Sequence, residues 1–459
     1  MAARLSGTEL AAALGARLGG TVRDLRRLSG GASRVTSAFD LEPEAGRGVQ
    51  PLILQVDRGS GGEAGESKAR LERALLEAAR AAGVPVPAVV AMGERDDIGP
   101  AWLVVERLEG ETIPRKILRD PEWAVARRAL TAQCGRALAA VHTIDPETVE
   151  GMPRADPLRD PLPLLDAQGE VRPALELGVR WLSTHRTTGH RPAGERPATV
   201  HGDFRMGNLL VGPEGLRGVL DWELAHGGDP VEDIGWLCAP AWRFGGDGEV
   251  GGVGSVDELL AAYESAGGGR IDHATVHWWR VYATVKWATI CALQASAHLS
   301  GATRSVELAA IGRRVCESEW DLCALLGVTP PADRPEPVAA DGPVPPFGRP
   351  TAAELVEAVR EYLEGVMERG EGTARFEARV ARNALGAVER ELRLGRSIAA
   401  THAARLEALG FSDDAALAAA VRAGELDDDW GAVASALAAS ARDQLLVANP
   451  SYLPPPASA

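Results

Sequence analysis

Lysine is almost absent from this chain: of 49 basic residues only Lys68, Lys116 and Lys286 are lysines, so a catalytic lysine has few places to sit. Cysteine is scarce too. Cys134, Cys238, Cys291, Cys316 and Cys323 are scattered, odd in number and without a C-x-x-C pair, which excludes a disulfide framework or a cysteine-built zinc site and predicts a reduced, intracellular, cytoplasmic protein. Positive charge is in deficit, 49 basic against 64 acidic residues for a net −15, and this argues against a dedicated nucleic-acid binder, whose affinity comes from clustered Lys and Arg. No long apolar run is free of charge. The one membrane-like stretch, 277–295, carries Arg280 and Lys286 and reads as a buried helix, so no membrane association is expected. The N-terminus lacks a continuous apolar core behind a basic start, and Glu9 and Asp24 disfavour a transit peptide; Ser6-x-x-Glu9 instead resembles a capping box that opens an ordinary helix.

What is present is the balance of a soluble globular protein: 459 residues, 45% hydrophobic and 25% charged, with a mean hydropathy of −0.08. That length predicts two or three domains. Residues 22–56 read as strand, Gly-rich turn, strand and a short strand Leu52–Val56, from their β-branched and aromatic residues and punctuating glycines. Leu71, Leu75, Leu76 and Ala79 recur at helical spacing over 66–82, Gly83 can stop that helix, and Val84-Pro85-Val86-Pro87 cannot continue it. A strand over 102–106 follows. Beyond Gly110 the pattern is mainly helical (121–143, 174–186, 255–266, 273–298, 305–326), interrupted by a hairpin of two short apolar runs, 208–211 and 216–220. Residues 329–350 contain eight prolines and predict a linker. After it, a second capping box, Thr351-x-x-Glu354, and amphipathic spacing of Leu355, Val359, Tyr362, Leu363 and Val366, then Phe376, Val380, Val388 and Leu392, predict a bundle of four or five helices. Its 17 acidic residues against 11 Arg make it no basic arm.

The strongest chemical signal is His201-Gly202-Asp203-Phe204-Arg205-Met206-Gly207-Asn208, followed after the hairpin by Leu220-Asp221-Trp222-Glu223. Phosphoryl transfer needs a carboxylate to orient an attacking hydroxyl and take its proton, and oxygen ligands for the magnesium that bridges nucleotide phosphates. Asp203, Asn208 and Asp221 supply such a set. A tight loop can present an Asp and, five residues later, an Asn to opposite sides of one phosphoryl group, and a hairpin can return a second Asp to the same metal.

These motifs resemble the aminoglycoside phosphotransferase and choline kinase-like family, with Asp229 and Asp233 matching a further, structural segment. The fuller string, Arg205, Gly207 and Asp221-Trp222-Glu223-Leu224-Ala225-His226 included, resembles the subgroup related to the kinase-like domain fused to some acyl-CoA dehydrogenases. The resemblance covers about 5–328. It implies an α+β, protein-kinase-like two-lobed fold, with N-lobe 1–108 and mostly helical C-lobe 109–328, to which composition and spacing add the linker 329–350 and a C-terminal all-α helical bundle, 351–459. It further implies Asp203 as catalytic base, Asn208 and Asp221 as magnesium ligands, His201 as loop organiser, and Arg205 as the cation that neutralises the transferring group. Glu223 is left between a second metal and a brace for the loop. Gly30, Gly31 and Ser33 match the phosphate-covering loop, Glu72 the acidic partner of a strand cation, and Glu106 to Leu108 the hinge that meets the adenine.

The departure lies at Gln55, where the family usually carries Lys or Arg. Either Arg58 reaches in, or binding leans on magnesium and backbone contacts, or the site is impaired. The expected activity is ATP- or GTP-dependent phosphorylation of a small-molecule hydroxyl, with Mg2+ as cofactor, on a hydroxy acid or hydroxyacyl thioester in preference to an aminoglycoside. The alternative is a nucleotide-binding pseudokinase acting as an interaction module. A homo-oligomer through the bundle is the one protein partnership expected. His273 and His277 at i, i+4 lack a third ligand and read as ordinary residues. Trp236, Trp242, Trp278, Trp279 and Trp287 read as core packing or as a substrate-lining wall, and Asp427-Asp428-Asp429 as a helix N-terminus.

Overall fold

The computed structural model describes residues 6–28, 34–44, 46, 48–57, 63–94, 96, 98–99, 101–155, 171–185, 197–329 and 349–454. In chain order the N-terminal part runs α1 (Gly7–Leu18), β1 (Gly20–Arg27), β2 (Arg34–Pro43), β3 (Gln50–Asp57), α2 (Glu63–Ala81), β4 (Val89–Glu94) and β5 (Ala101–Glu106). Next come α3 (Pro114–Arg119), α4 (Ala124–Val141), α5 (Pro173–Thr184), β6 (Ala198–Val200), β7 (Leu209–Gly212), β8 (Gly215–Val219), β9 (His226–Gly228), α6 (Val231–Leu237), α7 (Val256–Ser265), α8 (His273–Leu299), α9 (Val306–Ile311) and α10 (Val315–Leu325). The last four helices are α11 (Ala352–Arg369), α12 (Gly372–Ala408), α13 (Asp414–Ala423) and α14 (Trp430–Ala448).

Two compact units emerge, one of residues 1–155 and 188–279, the other of 156–187 and 280–459. The first contains a five-stranded antiparallel sheet in the order β1-β2-β3-β5-β4. The capping box at its start is present, Ser6 Oγ accepting from Glu9 N–H and the Glu9 carboxylate accepting from Ser6 N–H at 2.7 Å. Gly19 ends α1 at φ +67°, and Leu14 then packs with Phe39, Leu41, Leu52, Leu54, Trp102 and Val104 beneath the sheet. Helix α2 ends at Gly83, φ +86°, where Val84 N–H bonds back to Ala79 O at 2.9 Å. Strand β4 escaped the sequence reading: it is a six-residue edge strand with weak alternation, and it follows two prolines that mark the end of a helix without announcing a strand.

In the second unit the helices α5, α10, α13 and α14 pack together, with Ala174, Leu177, Leu406, Leu417, Val421, Val433, Ala434 and Leu437 at the centre. Helices on both sides of the Pro-rich segment therefore share one core. The 305–326 helix is split at a 3-10 turn, Gly312–Arg314, into α9 and α10. Helices α11 and α12 form a hairpin, and Thr351 and Glu354 make the expected capping box. The amphipathic stripe predicted there is only partly covered: Leu363, Val366 and Val380 are half-buried, whereas Leu355, Val359, Tyr362, Phe376, Val388 and Leu392 are exposed, because a two-helix hairpin buries one narrow seam. Among the described residues no helix is long and apolar enough to cross a membrane. All five cysteines are free and buried, and burial pushes the thiols of Cys134, Cys291, Cys316 and Cys323 up to about 12, which makes them inert packing groups.

Candidate functional site

The loop after β6 is shaped by one glycine and strapped by one carboxylate. Gly202 sits at φ +79°, and a Cβ there would lie 2.3 Å from Leu224 O, so only glycine fits. Asp233, fully buried on α6, accepts from His201 N–H at 2.7 Å, from Gly202 N–H at 2.9 Å and from His142 Nε2 at 3.2 Å. Burial alone would push its carboxyl up, but the His142 bond and charge, with His201 and its backbone N–H, outweigh that and hold it below the usual range. His201 is itself fully buried, which lowers its pKa and keeps it neutral. Its tautomer is fixed: Nδ1 accepts from Asp203 N–H at 3.2 Å and Nε2 donates to Leu220 O at 3.2 Å, while the ring lies 4.6 Å from Trp222. The predicted loop organiser therefore touches both ends of the motif.

Asp203 is held at both oxygens. Oδ1 accepts from Arg205 Nε at 2.9 Å and from the indole N–H of Trp236 at 2.9 Å; Oδ2 accepts from Asn208 Nδ2 at 2.6 Å. Asn208 Nδ2 also donates to Asp203 O at 3.0 Å, so both amide hydrogens are spent on Asp203 and the amide oxygen is left for another partner. Arg205 lies over the Trp242 ring, 4.7 Å from its centroid.

The β7–β8 hairpin returns Asp221 to this loop. Leu220 N–H donates to Asn208 O at 2.9 Å and Leu220 O accepts from His201, so the residue before Asp221 is clamped to the 201–208 loop on both sides. Asp221 adopts φ +65°, a conformation that costs a non-glycine residue on the order of 1 kcal/mol and that recurs at functional sites. Burial, then the neighbouring carboxylates Glu223, Asp203 and Glu72, push its carboxyl up to about 6, with Arg34 opposing them. Asp221 thus feels the charge of three other carboxylates.

On the sheet side, Glu72 is buried on α2 and pairs with Arg34, the first residue of β2, whose Nη1 also donates to Gln55 Oε1 at 3.4 Å. Burial raises the Glu72 carboxyl and Arg34 counters it. Arg34, Gln55, Lys68, Glu72, Leu103 and Glu223 line one cleft. At the end of β5, Glu106 N–H bonds to Ala88 O at 2.9 Å and Arg107 N–H to Pro51 O at 2.9 Å; the Leu108 N–H has no hydrogen-bond partner among the described residues.

Residues 24–279, more than half of the chain, match the family model described as "Phosphotransferase enzyme family" (APH). The chain belongs to that family. Residues 368–452 match a second model, "Domain of unknown function (DUF6285)". Over 181 residues this family member is 30% identical to acyl-CoA dehydrogenase family member 10 of Mus musculus, 36% of this chain and 16% of that one. Over 153 residues it is 32% identical to viomycin phosphotransferase of Streptomyces vinaceus, 30% of this chain and 50% of that one. The chain thus spans half or less of these curated relatives. A Ralstonia eutropha crystal structure, provisionally described as an aminoglycoside phosphotransferase, superposes with a TM-score of 0.54 at 20% identity, covering 70% of this chain and 98% of that one, and shows the shared kinase-like fold. Small-molecule phosphorylation is the general activity these likenesses support.

Of the residues singled out in the sequence, the structure brings together His201, Asp203, Arg205, Asn208 and Asp221, and it places Gln55, Glu72 and Glu223 around the cleft. Gly30, Gly31, Ser33 and Arg58 lie outside the described residues. Sequence reasoning missed Arg34, His142 and the hydrogen bond of Trp236, whereas Asp233, expected to be structural, braces the 201–208 loop. Trp236 and Trp242 are buried as a core reading predicts, yet one grips Asp203 and the other underlies Arg205. The run Asp427-Asp428-Asp429 stands at the start of α14 as expected, with Asp429 at the N-cap position though without a side-chain cap bond, and Asp427 also accepts from Arg180 Nε at 3.0 Å.

Proposed function

We propose that this phosphotransferase moves the terminal phosphoryl group of ATP or GTP to a small-molecule hydroxyl by direct in-line displacement. The observation that carries this reading is Asp203, fixed between Arg205, Trp236 and Asn208 with Asp221 clamped beside them. Asp203 takes the hydroxyl proton as the oxygen–phosphorus bond forms and the bond to the nucleoside diphosphate breaks. Arg205 lies against Asp203, where it offsets charge on the transferring group.

Asn208 through its amide oxygen and Asp221 through its carboxylate would hold magnesium. Among the described residues no three His, Cys, Asp or Glu side chains are grouped for one metal, but two ligands suit an ion that keeps water and phosphate in its remaining positions. The crowding of carboxylates around Asp221 fits a site completed by a cation. When bound, magnesium supplies charge neutralisation across the nucleotide phosphates.

For the acceptor, the likeness to a protein named for acyl-CoA dehydrogenation supports a hydroxy acid or hydroxyacyl thioester. The cationic Arg205 stacked on Trp242 beside the base favours it over a polycationic aminoglycoside. The pseudokinase reading rested on the neutral Gln55; Arg34, paired to Glu72, gives the cleft a cation and supports the kinase reading. The test is calorimetry of ATP and GTP with and without magnesium on wild type and Asp221→Ala, then turnover on hydroxyacyl thioesters, hydroxy acids and aminoglycosides. Magnesium-dependent binding lost in Asp221→Ala, with turnover on a panel member, is expected. Absence of nucleotide binding by the wild type would sink the proposal.

A further inference from the structure

Resting on that kinase reading, we infer that Arg34 of strand β2, and no residue of β3, is the side chain that grips the nucleotide polyphosphate, so that the strand cation has moved one strand across the sheet. A nucleoside triphosphate brings several negative charges into a cleft already crowded with carboxylates, and a fixed cation besides the metal is needed to hold it. Strand β3 offers only the neutral Gln55 at the expected position. Lys116 is engaged with Glu111 at 2.8 Å, away from the cleft lining, and Lys68 lines the cleft from exposed helix surface.

Register explains how Arg34 reaches. Thr36 faces Gln55 and Arg34 faces Asp57 across the β2–β3 ladder, and alternate residues share a face, so Arg34 and Gln55 are diagonal neighbours on one side of the sheet. Glu72 pairs with Arg34, as an acidic helix residue does with a strand cation, and Gln55 becomes an acceptor for the same Nη1. Both contacts among the described residues use Nη1. The Nε and Nη2 donors remain, and such a fork matches two phosphate oxygens. Arg34 thus has the anchor, the burial and the spare donors of a phosphate-binding group, and Gln55 orients it.

The test moves the charge back. Arg34→Met should weaken binding of ATP with magnesium by about ten- to a hundredfold, the range of one charge-assisted contact, and raise KM for the nucleotide while KM for the acceptor holds. Adding Gln55→Lys to Arg34→Met should restore most of the lost affinity, because the cation returns to β3 beside Glu72. A purely structural ion pair would show the opposite: Arg34→Met melting early but binding nucleotide as wild type does, or Gln55→Lys restoring the melt and not the affinity. Should Arg34→Met fail to fold for want of a partner for Glu72, Arg34→Met/Glu72→Gln removes both charges, and the inference then requires the same affinity loss. Wild type that binds no nucleotide overturns the kinase reading itself; wild type that binds, with the Arg34 variants unchanged, overturns only this inference.

Discussion

The two compact units bury charge in different ways. In the second, every buried carboxylate that can be traced meets a donor or cation: Asp443 lies between Arg405 at 2.6 Å and Arg442 at 2.8 Å, Glu317 takes Arg314 at 2.9 Å and Asn449 at 3.0 Å, and Asp321 takes the Tyr452 hydroxyl at 2.6 Å. In the first, burial and then the charges of Glu223, Asp203 and Glu72 push the Asp221 carboxyl up to about 6, even though Arg34 pairs with Glu72 and Arg205 with Asp203. Buried ion pairs alone therefore do not mark a site. A crowd of like charges that pushes one carboxyl up does, because a fold with no use for the crowding would have separated or removed those groups.

The sharpest way to break that contrast is to remove one carboxylate from each unit. Asp203→Asn should cost turnover about a thousandfold or more, within the range for loss of a positioned general base, while the melting temperature moves little, since an amide oxygen still accepts from Arg205, Trp236 or Asn208. Asp443→Ala should do the reverse, destabilising by about 3–5 kcal/mol because two buried guanidinium groups lose their shared anion. Thermal melts and initial rates on both variants check this. Equal loss of stability in the two would mean that the crowding at Asp203 is structural and the contrast empty.

How much of this was legible in the sequence follows from how local each feature is. The H-G-D…N loop, the hairpin return of Asp221, Glu72 on its helix and both capping boxes are set by spacing within one or two elements, and the chain displays them. Arg34 was invisible because its role depends on the register Arg34–Asp57 between strands, which no single segment encodes. Trp236 was read for its bulk. Burial was right for it, but the direction of its N–H towards Asp203 is a tertiary property. Composition marked a break at 329–350, whereas α5 and α10 pack with α13 and α14 through side chains far apart in sequence.

A middle-sized effect sharpens the role of the strap. Asp233→Asn should cost about 2 kcal/mol at neutral pH, since two buried backbone N–H groups and His142 lose a charged acceptor. The fold holds this carboxyl below its ordinary 3.8, so its stabilisation is complete above that value and is lost as pH falls through the lower folded value. Melts of wild type and Asp233→Asn followed down in pH should stay a fixed distance apart at neutrality and converge below about pH 4. A gap that widens in acid would contradict the assigned direction.

The smallest effects come from two helical glycines, one in each unit, at which packing opposes propensity. At Gly235 of α6 a Cβ would meet Trp279 Cβ at 2.4 Å and its backbone carbon at 2.6 Å. That backbone cannot yield, so Gly235→Ala should lose about 2 kcal/mol through overpacking, even after the gain that alanine brings to a helix. At Gly178 of α5 the nearest atoms are the Leu322 Cδ2 at 2.7 Å and the Val285 Cγ2 at 3.0 Å, the ends of side chains that can rotate away. There the propensity gain of about 1 kcal/mol and the repacking cost should nearly cancel, and chemical denaturation of Gly178→Ala should give a midpoint close to that of the wild type. A loss as large as that at Gly235 would show that the helical unit is packed as rigidly as the catalytic one, and that the two differ in charge and not in tolerance.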